Sequence, residues 1–582
     1  MTQFYILIPI FLVQGCSSPL KEPNGTIDPL LEASVIVEKQ IGGEGSNPTI
    51  RLPLQEPTAI EQSLEHRMEE ITNLSPANRA EVWNSDIGFN LHLEDATTVA
   101  IAMDDAVLLA IENNLDIRIA VLKPAIEEQT VVAAEAAFDF VFGAGATSKH
   151  SKIPQQQIIV GGIPVNSSES EADILAGNAS LARQLYGGGT ITLSTDITKT
   201  DNSSTGSTFS PDPAWQTVGT VDFLQPLLRN FGETVTRAQI HISEIMHGQA
   251  KEELRDTLNT VVTSTEHAYL DLSLQWKILQ VNVWLLQQGE EVVEILGIRR
   301  SYDTREADYA QAVATVQKRK AEVISQQAIV QKASDTLKQL INTDAYALDS
   351  ENVLLPTGKI EANPISISLR QAVLTSLENR PDLRKLTLEI ESQSINVKVM
   401  DNARLPQLDM QAQMSFRGLG DSAGEGYQEV FDTDFINYLA GLTFEVPLGN
   451  RAADANYTSA RLQRMSAVAA YKQGIQKATI DVKTALRDIV THAELMRANK
   501  DFRIAQAENL RALSVEEELM AGLTPTFLNL KLQTQSGLAS ARIAEFGSII
   551  NYNKSIASLY EAMGTTLLMH QVNMETEPPA PE

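Results

Sequence analysis

A single cysteine, Cys16, occurs in 582 residues. That excludes a disulfide framework and any cysteine-based zinc cluster. Aromatic residues are scarce, at 5%. Basic residues are outnumbered: 46 Lys and Arg face 74 Asp and Glu, a formal net charge of −28. A surface this acidic repels phosphate backbones, so nucleic acid is not expected as a partner. Long hydrophobic runs are missing too. The longest, Phe4 to Val13, has ten residues, against the roughly 20 needed to span a bilayer as a helix. Barrel strands leave a much weaker signal, so a membrane barrel stays open. What the chain does have is 43% hydrophobic residues, too many for intrinsic disorder. Its length alone suggests three to five domains at roughly 100–200 residues each.

Catalytic patterns are also lacking. The histidines (His66, His92, His150, His241, His247, His267, His492 and His570) show no metal-ligand spacing. Gly187-Gly188-Gly189 precedes a strand pattern rather than opening a helix, so it is not a phosphate cradle. Gly143-Ala144-Gly145 lies in an alternating segment and lacks the rest of a dinucleotide fingerprint. Nothing pairs a nucleophile with a base. The expectation is no enzyme activity, no metal and no cofactor.

Phe4 to Val13 is followed by Gln14-Gly15-Cys16-Ser17-Ser18. A short apolar stretch ending at a small residue reads as a secretion signal. The segment resembles a lipoprotein signal, in which Cys16 is acylated and becomes the new N-terminus. Gln14 and the lack of Lys or Arg before the apolar run depart from that pattern, and a chance free cysteine is the alternative. Residues 1–16 are thus expected to be a signal peptide, and 17–90 a tether and pre-repeat segment with little structure at 19–60.

An internal duplication follows. Met103 to Arg118 lies over Leu369 to Arg384 at a constant offset. Ala106, Val107, Leu108, Glu112, Asn113, Asp116 and Arg118 recur as Ala372, Val373, Leu374, Glu378, Asn379, Asp382 and Arg384. A second match joins Val221-Asp222-Phe223-Leu224-Gln225-Pro226-Leu227 to Leu442-Thr443-Phe444-Glu445-Val446-Pro447-Leu448. One unit therefore occurs twice, at 91–341 and 366–568, joined by a linker at 342–365 and followed by a tail at 569–582.

Within each unit the periodicity switches from helical to alternating and back. Phe138, Phe140, Phe142 and Ala144 alternate in the first; Leu408, Met410, Ala412, Met414 and Phe416 alternate in the second. Strands are expected at about 138–226 and 407–447. Long helices follow, about 233–297 and 451–521, each roughly 95–105 Å at 1.5 Å per residue. Leu254, Leu258, Val261, Thr265, Ala268 and Leu272 mark a 4,3 stripe on one. Val482, Leu486, Ile489, Ala493 and Met496 mark another on its counterpart. Coiled-coil seams and an ordinary bundle core both use this spacing; the helix length favours seams. Shorter helices return at about 304–341 and 526–568. Adding 304–341 to 366–404 nearly equals a long helix, so those two short helices are expected to stack end to end.

In this order the residues resemble the outer-membrane efflux protein (TolC-like) family. The carriers are Ala-Val-x-x-x-x-Glu-Asn-x-x-Asp at 106–116 and 372–382, and Ala403-Arg404-Leu405-Pro406. With them come the Phe-x-x-Pro-Leu ends at Phe223, Pro226, Phe444 and Pro447, and Ala521-Gly522-Leu523-Thr524-Pro525-Thr526. The resemblance implies a mainly α fold with a β-barrel: a long coiled-coil periplasmic tunnel, plus strands given to a trimeric outer-membrane barrel. It implies a homotrimer, four strands per chain, a periplasmic adaptor, an inner-membrane pump and outer-membrane lipid. The function implied is a passive duct for small-molecule efflux from a Gram-negative-type bacterium. A polypeptide-secretion exit duct fits equally, and a structural coiled-coil surface lipoprotein is the alternative of another class.

The resemblance also assigns sites. Gly522, Leu523, Thr524 and Pro525 would form the adaptor-docking tip. Arg300, Asp303, Arg305 and Asp308 would form the first tip and candidate gate, with Glu306 and Arg299 beside them. Asn529 and Leu532 stand where the family tends to place aspartates. In the first unit 82 residues separate Ala144 from Pro226, against 37 between Met410 and Pro447. The excess reads as an additional hairpin, 177–200, that either extends strands outside the barrel or changes the strand number.

Overall fold

The computed structural model describes residues 49–51, 57–73, 98–154, 156, 159–161, 163–164, 169–202, 210–301, 304–432, 434–519 and 524–572. Cys16 and the leader lie outside these residues. The chain opens with β1 (Thr49–Arg51), α1 (Ala59–Ser63) and α2 (Met68–Asn73). Then come β2 (Thr98–Ile101), α3 (Met103–Asn113) and α4 (Leu115–Glu135). A run of strands follows: β3 (Val141–Pro154), the short pair β4 (Ile159–Val160) and β5 (Ile163–Pro164), β6 (Glu169–Gln184), β7 (Thr190–Asn202) and β8 (Ala214–Pro226). Helices α5 (Glu233–Thr236), α6 (Ala238–Arg299) and α7 (Glu306–Ile341) close the first repeat. The linker holds β9 (Val353–Pro356) and leads to β10 (Ser366–Ser368). The second repeat runs through α8 (Leu369–Asn379), α9 (Pro381–Asn402), β11 (Gln407–Gly420), α10 (Ala423–Asp432) and β12 (Ile436–Glu445). It ends with α11 (Arg451–Leu519), α12 (Pro525–Met563) and α13 (Thr566–Met569).

The two long helices have 62 and 69 residues, about 93 and 104 Å of rise. Their 4,3 stripes are buried: Leu254, Leu258, Val261, Thr265, Ala268 and Leu272 in α6, and Val482, Leu486, Ile489 and Ala493 in α11. The N-terminal half of α6 packs on α3 and α4 through Val107, Ala110, Ile117 and Ala120. Its C-terminal half packs on α7, where Leu272, Trp276, Leu279 and Leu286 meet Val316, Val323, Val330 and Leu337. Among the described residues no helix is long and apolar enough to cross a membrane.

Stacking of the short helices differs from the expectation. Helix α7 abuts α3 and α4 of its own repeat, not α9. Asn114 caps α4, its Oδ1 accepting from the Asp116 and Ile117 amides, while its Nδ2 donates to the Leu340 carbonyl at 3.0 Å. Asn342 sits left-handed at the end of α7 and donates to the Asn113 carbonyl at 3.0 Å. The equivalent contact in the second repeat joins α9 to α12, where Arg380 donates to the Ala562 carbonyl at 3.3 Å. The last carbonyls of a helix need donors. Both repeats supply one from the residue just before the helix in line with it.

A second difference lies near the start. Residues 57–60, expected to have little structure, and 61–73 of the pre-repeat segment dock on α11. Ile71 is fully buried with Ala507, Leu510 and Leu538. Arg67 pairs with Glu508 at 2.7 Å, and Lys500 pairs with Glu61. β1 pairs antiparallel with β10, and β2 pairs parallel with β9 in the linker.

The main sheet has six strands in the order β12-β11-β8-β7-β6-β3, every neighbour antiparallel. The first repeat supplies four of them and the second two.

Candidate functional site

Opposed residues in an antiparallel ladder share a face. One unbroken row across the sheet reads Phe142, Leu181, Leu193, Val221, Met414, Tyr438. The adjacent row, on the other face, reads Gly143, Ser180, Ser194, Thr220, Ser415, Asn437. One side is apolar with aromatics and the other small and polar. A sheet in lipid with an aqueous interior has this two-sided pattern. Strand β12 has 10 residues, within the roughly 9–11 that a tilted strand needs to cross a bilayer. On the apolar side Phe142, Tyr438 and Phe444 are 70%, 75% and 62% exposed, far more than an ordinary soluble sheet leaves to water. Toward the outer end of β3, His150 meets Asp173 at 2.8 Å and Lys152 meets Glu171 at 2.9 Å. These charges end the apolar band.

The strand-end motifs fall where the sheet meets the helices. Phe223 opposes Ala412 and Ile191, and Phe444 opposes Leu408, all on the apolar side. Pro226 ends β8, buried, and exposed Pro447 follows β12; neither ring nitrogen can donate to a further ladder. Phe138 differs from expectation. It lies in a turn of 3-10 helix before β3, is 5% exposed and stacks against Tyr186 at 4.8 Å. Helix α10, between β11 and β12, has no sequence forecast. It folds back over the apolar side, where Tyr427 shares a hydrogen bond with Thr195 at 3.1 Å. A Cβ on Gly418 would lie 2.0 Å from the Gly426 carbonyl oxygen, so only glycine admits this approach.

At the opposite end two helix reversals come together. In the first, Arg300 donates to Glu306 at 2.9 Å and lies over the Tyr309 ring at 5.0 Å. Arg305 donates to Asp308 at 2.8 Å, and this carboxylate holds the guanidinium's pKa above its ordinary value. Asp303 lies outside the described residues, as do Gly522 and Leu523 of the second reversal. Thr524 caps α12, its Oγ1 accepting from the Phe527 amide at 3.3 Å, and Pro525 takes the first helical position. Leu532 faces the interior. It is 4% exposed and packs with Val292, Leu296, Ala312 and Leu528, binding the two reversals into one apolar cluster.

Just behind this cluster sits Arg319, which sequence reading did not single out. It is 3% exposed and donates to the Leu285 carbonyl (2.7 Å), the Leu532 carbonyl (2.9 Å), Gln535 (3.2 Å) and Ser536 (3.1 Å). Burial pushes its pKa down to about 10. Gly289 on α6 makes room for it; a Cβ there would stand 2.8 Å from a guanidinium nitrogen. The one available signal was an arginine at a position matching the stripe of apolar residues Val316 and Val323.

At the joint of the second repeat, where α9 meets α12, an open polar cavity of about 470 Å³ is lined by Asp256, Asn259, Arg380, Asp382, Asp481 and Glu561 among others. Arg380 binds Asp382 and Asp481 at 2.8 and 2.9 Å. Burial raises the carboxyls of Asp256 and Glu561. For Asp382, burial is outweighed by Arg380, which holds it below the usual carboxylate range. Among the described residues no group of His, Cys, Asp and Glu is arranged to hold a metal ion.

Residues 373–565 match the family model "Outer membrane efflux protein". The chain has the fold of the TolC-like outer-membrane efflux channels. The Campylobacter jejuni CmeC outer membrane channel superposes with a TM-score of 0.58 at 13% identity, covering 83% of this chain and 92% of that one. The outer-membrane channel OprN gives 0.57 at 15%, covering 80% and 90%. The Vibrio cholerae outer membrane protein VceC gives 0.55 at 15%, covering 79% and 96%. No curated protein sequence matches the chain. In the neighbours' fold the sheet corresponds to the barrel part and the paired long helices to the helical tunnel part.

Proposed function

We propose that this protein is the outer-membrane exit duct of a tripartite efflux system, acting as a homotrimer in the outer membrane of a Gram-negative-type bacterium. The observation that carries this is the sheet. It carries an apolar row on one face and a polar row on the other, and its strands continue into helices about 93 and 104 Å long. Such a sheet satisfies its edges in lipid only by closing with other copies. The duct does no chemistry of its own, and solutes move under the action of an inner-membrane pump coupled through a periplasmic adaptor. The adaptor docks at the second reversal, Gly522 to Pro525. The Arg300–Glu306 and Arg305–Asp308 pairs hold the first reversal closed until it docks. An acyl chain on Cys16 adds an anchor to the membrane.

Deletion of the gene tests this. Increased sensitivity to dyes, detergents, antibiotics or metals, with the protein in the outer-membrane fraction and migrating heat-modifiably, is the expected result. Loss of a secreted polypeptide with unchanged sensitivities would replace efflux by secretion. A soluble or unshifted protein would remove the duct reading altogether. For the gate, Asp308→Ala should raise single-channel conductance in planar bilayers; unchanged conductance removes Asp308 from that role.

A further inference from the structure

The additional hairpin of the first repeat is part of the sheet, not an appendage to it. β6 is paired with β3 from Val141↔Ala182 to Pro154↔Glu169, and with β7 from Ala172↔Asn202 to Gln184↔Thr190. β7 is in turn paired with β8 from Thr190↔Leu224 to Thr200↔Ala214. β3 therefore reaches the rest of the sheet only through the hairpin.

In the central rows the hairpin follows the same two-sided rule as the other strands. Leu181 and Leu193 continue the apolar row, while Ser180 and Ser194 continue the polar one. Its turn is fixed at the strand–helix junction. Gly188 has φ +90°, and a Cβ on it would lie 2.2 Å from the Asn230 carbonyl oxygen. The Gly187 carbonyl accepts from the Gly232 amide at 3.2 Å and from Gln225 at 3.0 Å. A hairpin reaching beyond the membrane would not have its turn at this end.

We propose that each chain gives six strands to the shared barrel, so that three copies close eighteen strands by pairing β3 of one with β12 of the next. This rests on the trimeric-duct reading. Six alternating strands leave β3 and β12 as edges running in opposite directions. A head-to-tail ring of copies is thus antiparallel throughout, and no edge remains in lipid.

Size supports the count. With strands about 4.8 Å apart and tilted about 40°, eighteen strands give a barrel radius of about 18 Å, against about 12 Å for twelve. Each chain brings four helical columns: α6, α11, α3–α4 in line with α7, and α8–α9 in line with α12. Twelve columns packed about 8–10 Å apart form a ring of radius about 15–19 Å. The wider barrel meets this ring without a taper, and its lumen has about twice the cross-section of a twelve-stranded one.

Single cysteines probed with a membrane-impermeant maleimide in outer-membrane vesicles test the proposal, with the unsubstituted chain as baseline for Cys16. Ser180→Cys and Ser194→Cys should label at least tenfold faster than Leu181→Cys and Leu193→Cys. Met414→Cys and Ser415→Cys on β11 should show the same contrast. Contrast on β11 with equal labelling of both faces on β6 and β7 overturns the six-strand count and leaves the duct standing. No contrast on β11 either would overturn the barrel itself. Electron cryomicroscopy of the nanodisc-embedded assembly gives the count directly: eighteen strands support it, and twelve, with β6 and β7 outside the wall, overturn it.

Discussion

The two repeats share one helical skeleton and differ in their strands. The first sends four strands into the sheet and the second sends two. A strand pair returns the chain to the side it left, so a hairpin can be inserted without reversing the helix that follows. Adding a helix would break the stacking of α7 on α3–α4 and of α12 on α8–α9. The sheet can change in steps of two while the helical skeleton stays fixed. The return helices differ as well. Each buries one guanidinium against α6: Arg319 bonds to backbone carbonyls, whereas Arg542 lies over the Trp284 ring at 5.7 Å. Burial pushes both down to about 10.

The largest expected effect comes from making the repeats alike. A chain lacking residues 169–202 leaves β3 next to β8, still antiparallel. It should assemble with a barrel radius smaller by about a third and an unchanged helical unfolding transition. Aggregation, or a tunnel that no longer forms, would show that strands and helices are coupled.

Next comes Arg319→Met. Losing the charged hydrogen bonds to two neighbouring helices should cost about 2–3 kcal/mol, read from the denaturation midpoint of the detergent-solubilised protein. Arg542→Met, which gives up the contact with the Trp284 ring, should cost less, about 1 kcal/mol. Equal losses would mean the two return helices are held by the same kind of contact.

A comparison of the joints should give smaller shifts. Arg380→Ala strands Asp382 and Asp481 and should cost about 2 kcal/mol at neutral pH, reduced from the fully buried range because both carboxylates keep partial contact with water. Asn114→Ala loses a cap and should cost about 1 kcal/mol. Because Arg380 holds the Asp382 pKa below its ordinary 3.8, its contribution is present above that value and is lost as the pH falls through the lower, folded one. The Arg380→Ala deficit should therefore shrink in acid.

The smallest effect is a pair of opposing histidines. Glu266 accepts from His570 at 2.8 Å and raises its pKa above 6.5. That stability is full below pH 6.5 and fades as the pH rises through the folded value. Burial lowers the pKa of His267 below 6.5, so its contribution is full above 6.5 and fades as the pH falls. His570→Gln should lower stability below pH 6.5 and abolish the decline above it, while the acid decline due to His267 remains; a decline that persists above pH 6.5 would assign it elsewhere.

Much of this was legible in the chain itself. The 4,3 stripes of α6 and α11 became buried faces, because a helix that long has only one side to hide. The matched segments at 106–116 and 372–382 became the equivalent joints, since Asn114 and Arg380 stand at one repeat position. Thr524 and Pro525 became a helix start, because capping is decided by neighbours in sequence. Less legible was whatever depends on distant partners. Residues 57–73 look too polar to fold alone and are ordered by burying Ile71 against α11 and α12. Phe138 alternates with Phe140 yet turns inward, because Tyr186 offers it a ring. Arg319 reads as one more surface cation until Gly289 opposite it is known.

The scarcities of the sequence therefore meant different things. The 4,3 stripes and the switch to alternation determined a mostly helical chain carrying short two-faced strands, since periodicity is a local property. Which short helices stack, which arginine is buried, and that the additional hairpin is paired on both sides were decided only in three dimensions. Those outcomes depend on hydrogen-bond and packing partners that stand tens to hundreds of residues away, and no local pattern records them.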